Sequence, residues 1–164
     1  MSALYVVNLE PNLGSRVLAA GHVVQVVQAE YGTESITSST SFVDTGLYAT
    51  ITPTNTSSKI LVNINAAFFC ELASTNTIET HANITRNGTG IKQFNRVIII
   101  NATTGAGGVL GNGSQNSLIY LDSPASTSAL TYKLQISASN TSMNSRINKD
   151  SVALSTITLM EIAQ

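Results

Sequence analysis

The sequence predicts an all-β chain, an antiparallel sandwich of about eight strands, and three observations predict it. Apolar and polar residues alternate with a period of two along most of the chain. No stretch of eleven or more residues carries a helical i, i+3, i+4 apolar face. Polar turn signals separate the alternating runs: Asn87-Gly88, Asn112-Gly113, "TPTNTSS" with Pro53 and "DSPASTS" with Pro124. Short strands joined by such turns indicate a sandwich, and about eight of them favour a jelly roll.

Residues 1–21 read as an extended N-terminal arm, because "NLEPNLGSRVLAAG" holds Pro11, Gly14 and Gly21 and shows no sustained alternation. Leu4, Tyr5, Val6, Val7 and Leu9 are too apolar for a solvated tail, so the arm is expected to dock on a neighbouring subunit or a partner. Residues 22–164 form the expected jelly-roll domain. Its strands are His22–Tyr31, Thr45–Thr52, Ser58–Cys70, Glu79–Arg86, Lys92–Ile100, Ser117–Leu121, Ala129–Ala138 and Ala153–Ala163.

Two of these runs are the most informative. In "ALTYKLQISA", Leu130, Tyr132, Leu134 and Ile136 face one way and Thr131, Lys133, Gln135 and Ser137 the other, as in a strand with a core face and a wet face. In "SKILVNINAAFFC" the second face mixes Leu61, Asn63, Asn65, Ala67 and Phe69, which predicts a central or subunit-facing strand. Ser117 to Ala138 reads as a hairpin turned at Pro124, and the glycine-rich Asn101 to Asn116 as a flexible loop.

Charged residues make up only 10% of the chain and its net charge is -1, against about a quarter charged in ordinary soluble domains. A nearly uncharged surface with β edges is prone to associate, which points to a chain that lives in an assembly. The basic residues are scattered, so no electrostatic footprint for nucleic acid exists. No apolar run approaches the roughly 20 residues of a membrane span, and the start lacks the basic region of a signal peptide. Synthesis in a cytoplasm is expected, and the single Cys70 agrees with that compartment.

Catalytic and metal chemistry find little material. His22 and His81 each lack a second ligand at metal spacing. Cys70 follows Phe68 and Phe69 and reads as core rather than as a nucleophile. "GAGGVLGNGS" lacks the Gly-Lys-Ser/Thr ending of a phosphate loop, and no carboxylate pair stands out. Asp122 and Ser123 beside Pro124 read as a turn cap. No catalytic residue, cofactor or metal is expected. A sugar would need an exposed ring, for which Tyr31, Tyr48 and Tyr120 are the candidates.

The runs "GHVVQVVQAEYGTESITSSTSFVDTGLYATITPTNTSSKILVNI", "YLDSPASTSALTYKLQISA" and "STITLMEIAQ" together resemble a family of small virion structural proteins and fibre-tip domains of tailed bacteriophages. The resemblance implies a trimeric jelly roll, made in the host cytoplasm and carried on the virion. Its partners would be two further copies of itself and the major capsid protein, as a cement protein on the capsid exterior. The alternative is a tail-fibre tip that meets a host-surface glycan; the lack of a shaft-like repeat before residue 22 favours cement. The resemblance assigns structural roles only. Pro53 and Ser57-Ser58-Lys59 would open the strand to Cys70, Asp122 and Pro124 would fix the turn before Tyr132, and Glu161 would lie on the last strand beside Lys59.

Overall fold

The computed structural model describes residues 19–72, 77–101 and 110–164. Among these, the strands are β1 (Val23–Tyr31), β2 (Ser35–Thr37), β3 (Val43–Ile51), β4 (Lys59–Leu72), β5 (Thr77–Arg86), β6 (Thr89–Asn101), β7 (Leu110–Asp122), β8 (Leu130–Ala138), β9 (Met143–Ile147) and β10 (Ser155–Ile162). One 3-10 turn, Lys149–Ser151, joins β9 to β10.

Setting aside the short β2 and β9, the eight long strands pair first with last, second with seventh, third with sixth and fourth with fifth. That is one long hairpin rolled into two sheets, the jelly roll the periodicity predicts. The four-stranded sheet runs β3-β8-β5-β6. In the other sheet β4 is central: β7 lies along one edge for the whole strand, while β10 and β9 share the other. β1 and β2 close the outer edges beyond β10 and β9.

Alternation decides what enters the core. Ile60, Val62, Ile64, Ala66, Phe68 and Cys70 of β4 face Leu130, Tyr132, Leu134 and Ile136 of β8, and none of the ten is more than 4% exposed. The Asn87-Gly88 turn between β5 and β6 has φ of 50° and 84°, the left-handed pair that a two-residue hairpin of matching twist needs. Ahead of β1, the His22 amide donates to the Ala19 carbonyl at 3.2 Å, with Gly21 at φ 87°, a type II turn.

Three expectations change. Residues 110–116 belong to β7, not to a loop: Asn112 is the register partner of Cys70 and Gly113 of Phe69. Their glycines serve packing, because a Cβ at Gly111 or Gly113 would stand 2.5 or 2.9 Å from the Phe69 ring that lies over them. Ser117 to Ala138 is an arch rather than a hairpin, since β7 and β8 sit in opposite sheets and pair with β4 and with β3 and β5. Finally, β2 and β9 add an unforeseen small ladder of three paired positions beside β4. The arm residues Leu4, Tyr5, Val6, Val7 and Leu9 lie outside the described residues.

Candidate interaction face

The sequence-marked turns prove to be ties between strands. Asp122, 5% exposed at the end of β7, accepts at Oδ2 from Arg86 Nη1 and from the Tyr132 hydroxyl, both at 2.7 Å. Arg86 and Tyr132 are register partners on β5 and β8, so this carboxylate spans the sandwich instead of capping its own turn. Burial, then the Asp122 carboxylate, raise the Tyr132 phenol well above its ordinary pKa and keep it a donor. Pro124 is half-buried in the arch that follows.

Pro53 is buried, and the loop behind it is held by Glu161. Glu161 lies on β10 as the resemblance implies, but it points inward, fully buried, and forms no pair with Lys59, which opposes Ile162 in the register. Its Oε1 accepts from the Thr54 amide at 2.8 Å and the Thr54 hydroxyl at 2.7 Å, and its Oε2 from Gln25 Nε2 at 2.7 Å. Burial alone would raise its pKa, yet the donors of Gln25, Ser58 and Thr54 outweigh it and hold the carboxyl below its ordinary 4.5.

A third tie, absent from the sequence reading, is Asn148. It is fully buried at φ 52°, donates through Nδ2 to the Tyr31 carbonyl at 2.7 Å, accepts from the Ser155 hydroxyl at 2.7 Å and donates its amide to Ala67 at 2.9 Å. Only its left-handed conformation, which Asn tolerates better than most residues, could have signalled it.

The reactive candidates fall into structural places. Cys70 is completely buried, and burial pushes its thiol up to about 11. His81 accepts from the Arg96 amide at 3.2 Å and stands 3.8 Å from Glu79. Among the described residues, no three His, Cys, Asp or Glu side chains gather as a metal-holding group, and no helix is long and apolar enough to cross a membrane. Of the three candidate sugar platforms, Tyr48 is 56% exposed, whereas Tyr31 and Tyr120 pack against the core. An open cavity of about 370 Å³ has Phe69 on its wall, but that ring rests on the β7 glycines and has Lys149 Nζ 5.0 Å from its centre.

Among the described residues, an apolar strip lies uncovered on the outer face of the larger sheet. The register places Val26, Met160, Leu61 and Leu121 in one row across β1, β10, β4 and β7. Ile119 flanks the row on β7, and Val23 and Ile162 flank it where β1 begins. Val23, Val26, Ile119 and Leu121 are 51%, 55%, 58% and 46% exposed. No carboxylate belongs to these rows, because the neighbouring Glu161 faces inward. A strip crossing four strands is more than the scattered exposed apolar residues normal to a surface. It includes Leu61 from the mixed face of β4 that the alternation had marked.

No family model matches the chain, and no curated protein matches it. Solved structures of similar path include the VP2 subviral particle of infectious bursal disease virus, 12% identical over 98% of this chain and 42% of that one, with a TM-score of 0.40. The T=1 particles derived from infectious bursal virus are 9% identical over 98% and 41%, also with a TM-score of 0.40. The chain thus spans about two fifths of the length of the chains it matches.

Proposed function

We propose that this chain is a virion structural protein, a trimeric cement protein that seats on the coat lattice of a tailed bacteriophage and stabilises it by added contact area. The carrying observation is the apolar strip on the outer face of the larger sheet, Val23, Val26, Leu61, Ile119, Leu121, Met160 and Ile162. A chain with 10% charged residues leaves that strip little electrostatic protection against association.

Magnitudes favour several copies acting together. Four strip residues are already about half covered, so sealing them returns roughly half of the 1.5–3 kcal/mol that full burial of such a side chain gives, a gross gain of about 3–6 kcal/mol per subunit. Association costs of about 4 kcal/mol or more leave at most about 2 kcal/mol of this, binding no tighter than tens of millimolar by one subunit. Three linked subunits make the second and third contacts intramolecular and slow release by orders of magnitude. The rigid ties at Asp122, Glu161 and Asn148 keep the sheet that presents the strip in one shape. In this reading Pro53, Asp122 and Pro124 are structural, and the apolar arm residues belong to the contact machinery.

The test is the copy number of the chain in purified virions, by quantitative mass spectrometry against the major coat protein. A stoichiometry of the same order as the coat protein supports a cement role on the capsid exterior. A handful of copies overturns it and moves the chain to the tail, where host-surface glycans become the ligand to test. Sedimentation equilibrium addresses the trimer separately, with three times the chain mass expected and a stable monomer at micromolar concentration counting against it.

A further inference from the structure

We propose that the outer face of the smaller sheet, on the far side of the sandwich from the apolar strip, binds an uncharged glycan, with Tyr48 as the platform for a sugar ring and Asp44, Lys133, Gln135 and Asn83 as its hydrogen-bonding row. The inference goes beyond the coat-lattice reading and does not rest on it, because the two faces belong to different sheets.

Register assembles this face. Asp44, Gln135 and Asn83 form one row across β3, β8 and β5, and Tyr48, Lys133 and Thr85 form the next. Tyr48 is 56% exposed, although a ring of that size is ordinarily drawn into a core or an interface. The polar side chains beside it are held in a chain. Lys133 Nζ donates to Asp44 Oδ2 at 2.7 Å, Gln135 Nε2 to Asp44 Oδ1 at 2.8 Å, and Asn83 Nδ2 to Gln135 Oε1 at 3.0 Å. On the other side of Tyr48, the hydroxyls of Thr50 and Thr131 bond each other at 2.9 Å. Fixed donors and acceptors therefore stand next to an apolar ring, the combination that recognises a pyranose with its C–H face and its rim of hydroxyls.

Three observations choose the ligand. The charges in these two rows, Asp44 and Lys133, are paired at 2.7 Å, which leaves no free cation there for a phosphate, a sulfate or an acidic sugar. The rows lie about 7 Å apart along β8, the breadth of one sugar ring with its hydroxyls, so a ring on Tyr48 reaches Asp44 and Gln135. Finally, Asn83 and Thr85 are only 4% and 1% exposed, yet Asn83 Oδ1 and Thr85 Oγ1 have no hydrogen-bond partner in the protein. Both lie on the side of β5 away from Ala82 and Ile84 of the core. Buried polar atoms left unpaired are costly. Gly90 opposes Thr85, so β6 sets no side chain over the pair at that position, and a Cβ there would stand 3.0 Å from Asn83 Nδ2. A ligand hydroxyl that draws Gln135 aside reaches Asn83 Oδ1 and removes the deficit. A polypeptide is the poorer fit, since apart from Tyr48 these rows offer its apolar side chains nothing.

The test is saturation-transfer NMR on the full-length chain with neutral oligosaccharides of glucose, galactose, mannose and N-acetylglucosamine, beside sialylated and sulfated oligosaccharides and an unstructured control peptide. Each is present at about 5 mM, enough to populate a complex of millimolar Kd. Transfer to at least one neutral oligosaccharide is expected. Tyr48→Ala should weaken that binding about tenfold or more, whereas Tyr48→Phe, which keeps the ring, should stay within about threefold of the parent. Asp44→Ala, at an exposed position on the same face, should also weaken it about tenfold. Val26→Lys/Leu121→Lys, on the other sheet, should bind as the parent does. The proposal is overturned by silence with every neutral oligosaccharide, by a preference for the acidic ones, by equal transfer to the peptide, or by undiminished binding in Tyr48→Ala. Virion copy number is untouched by any of these outcomes, so the two readings fail separately.

Discussion

Replacing Asp122 with alanine is expected to loosen the sandwich at the mouth between β7 and the β5–β8 pair. The carboxylate is 5% exposed and accepts from two groups on the opposite sheet. Its removal leaves the Tyr132 hydroxyl without that acceptor in a fully buried position, a cost of about 1–3 kcal/mol. Arg86, whose side chain is 29% exposed, turns partly to water and adds about 1 kcal/mol. The expected total is about 3 kcal/mol, equivalent to a fall in Tm of roughly 6–12 °C for a chain of this size. Tyr132→Phe alone should cost only about 1 kcal/mol, because Asp122 keeps its Arg86 partner. The decisive variant is the double one: in the Asp122→Ala background Tyr132→Phe removes an orphaned hydroxyl and should be neutral or stabilising. Urea unfolding of the four proteins measures the cycle. Costs that add to within about 0.3 kcal/mol would refute the shared-acceptor reasoning.

Other sites give independent tests. Glu161 has a folded pKa held below its ordinary value, so its contribution to stability is complete above about pH 4.5 and is lost as pH falls through the depressed folded value. Glu161→Gln should therefore be less stable than the parent by about 1–3 kcal/mol at pH 7, with the gap narrowing in urea melts taken at progressively lower pH; a pH-independent gap would argue against the mechanism. Gly46 sits at φ 91° with a would-be Cβ 2.7 Å from the Tyr31 ring, so Gly46→Ala combines backbone strain and a clash and should cost about 2–3 kcal/mol. Asn148→Ala removes three side-chain hydrogen bonds, to Tyr31, Thr33 and Ser155, and a residue suited to left-handed backbone, and a thermal melt should register a loss of about 2–4 kcal/mol.

Much of this architecture was legible because a half-buried strand writes its two faces into alternate residues. Tyr132 was assigned to the core by parity alone, and it is fully buried. The Asn87-Gly88 turn was equally plain, since two consecutive left-handed residues demand such a pair. Illegible elements were those whose determinants are non-local. Gly111 and Gly113 look like a loop until Phe69, about forty positions earlier, is laid across them. β2 and β9 are too short for periodicity to register, and they exist because the upper half of β4 leaves an edge that β10 does not reach. The inward orientation of Glu161 was hidden for a similar reason: its donors come from Gln25 and Thr54, more than a hundred residues away in sequence. The candidate face was half visible. Leu61 and the mixed face of β4 hinted at it, but the row with Val26, Met160 and Leu121 depends on a register that only pairing supplies.

The central claim is that the outer strip of the larger sheet carries association with the coat lattice. It is tested most directly by adding purified chain back to coat particles that lack it and measuring co-sedimentation, with the parent beside Val26→Lys/Leu121→Lys. Both substituted residues are about half exposed, so the double variant should keep its folding stability to within about 1 kcal/mol. The account predicts that the parent pellets with the particles and the folded variant stays in the supernatant. A variant that binds as tightly as the parent would contradict it.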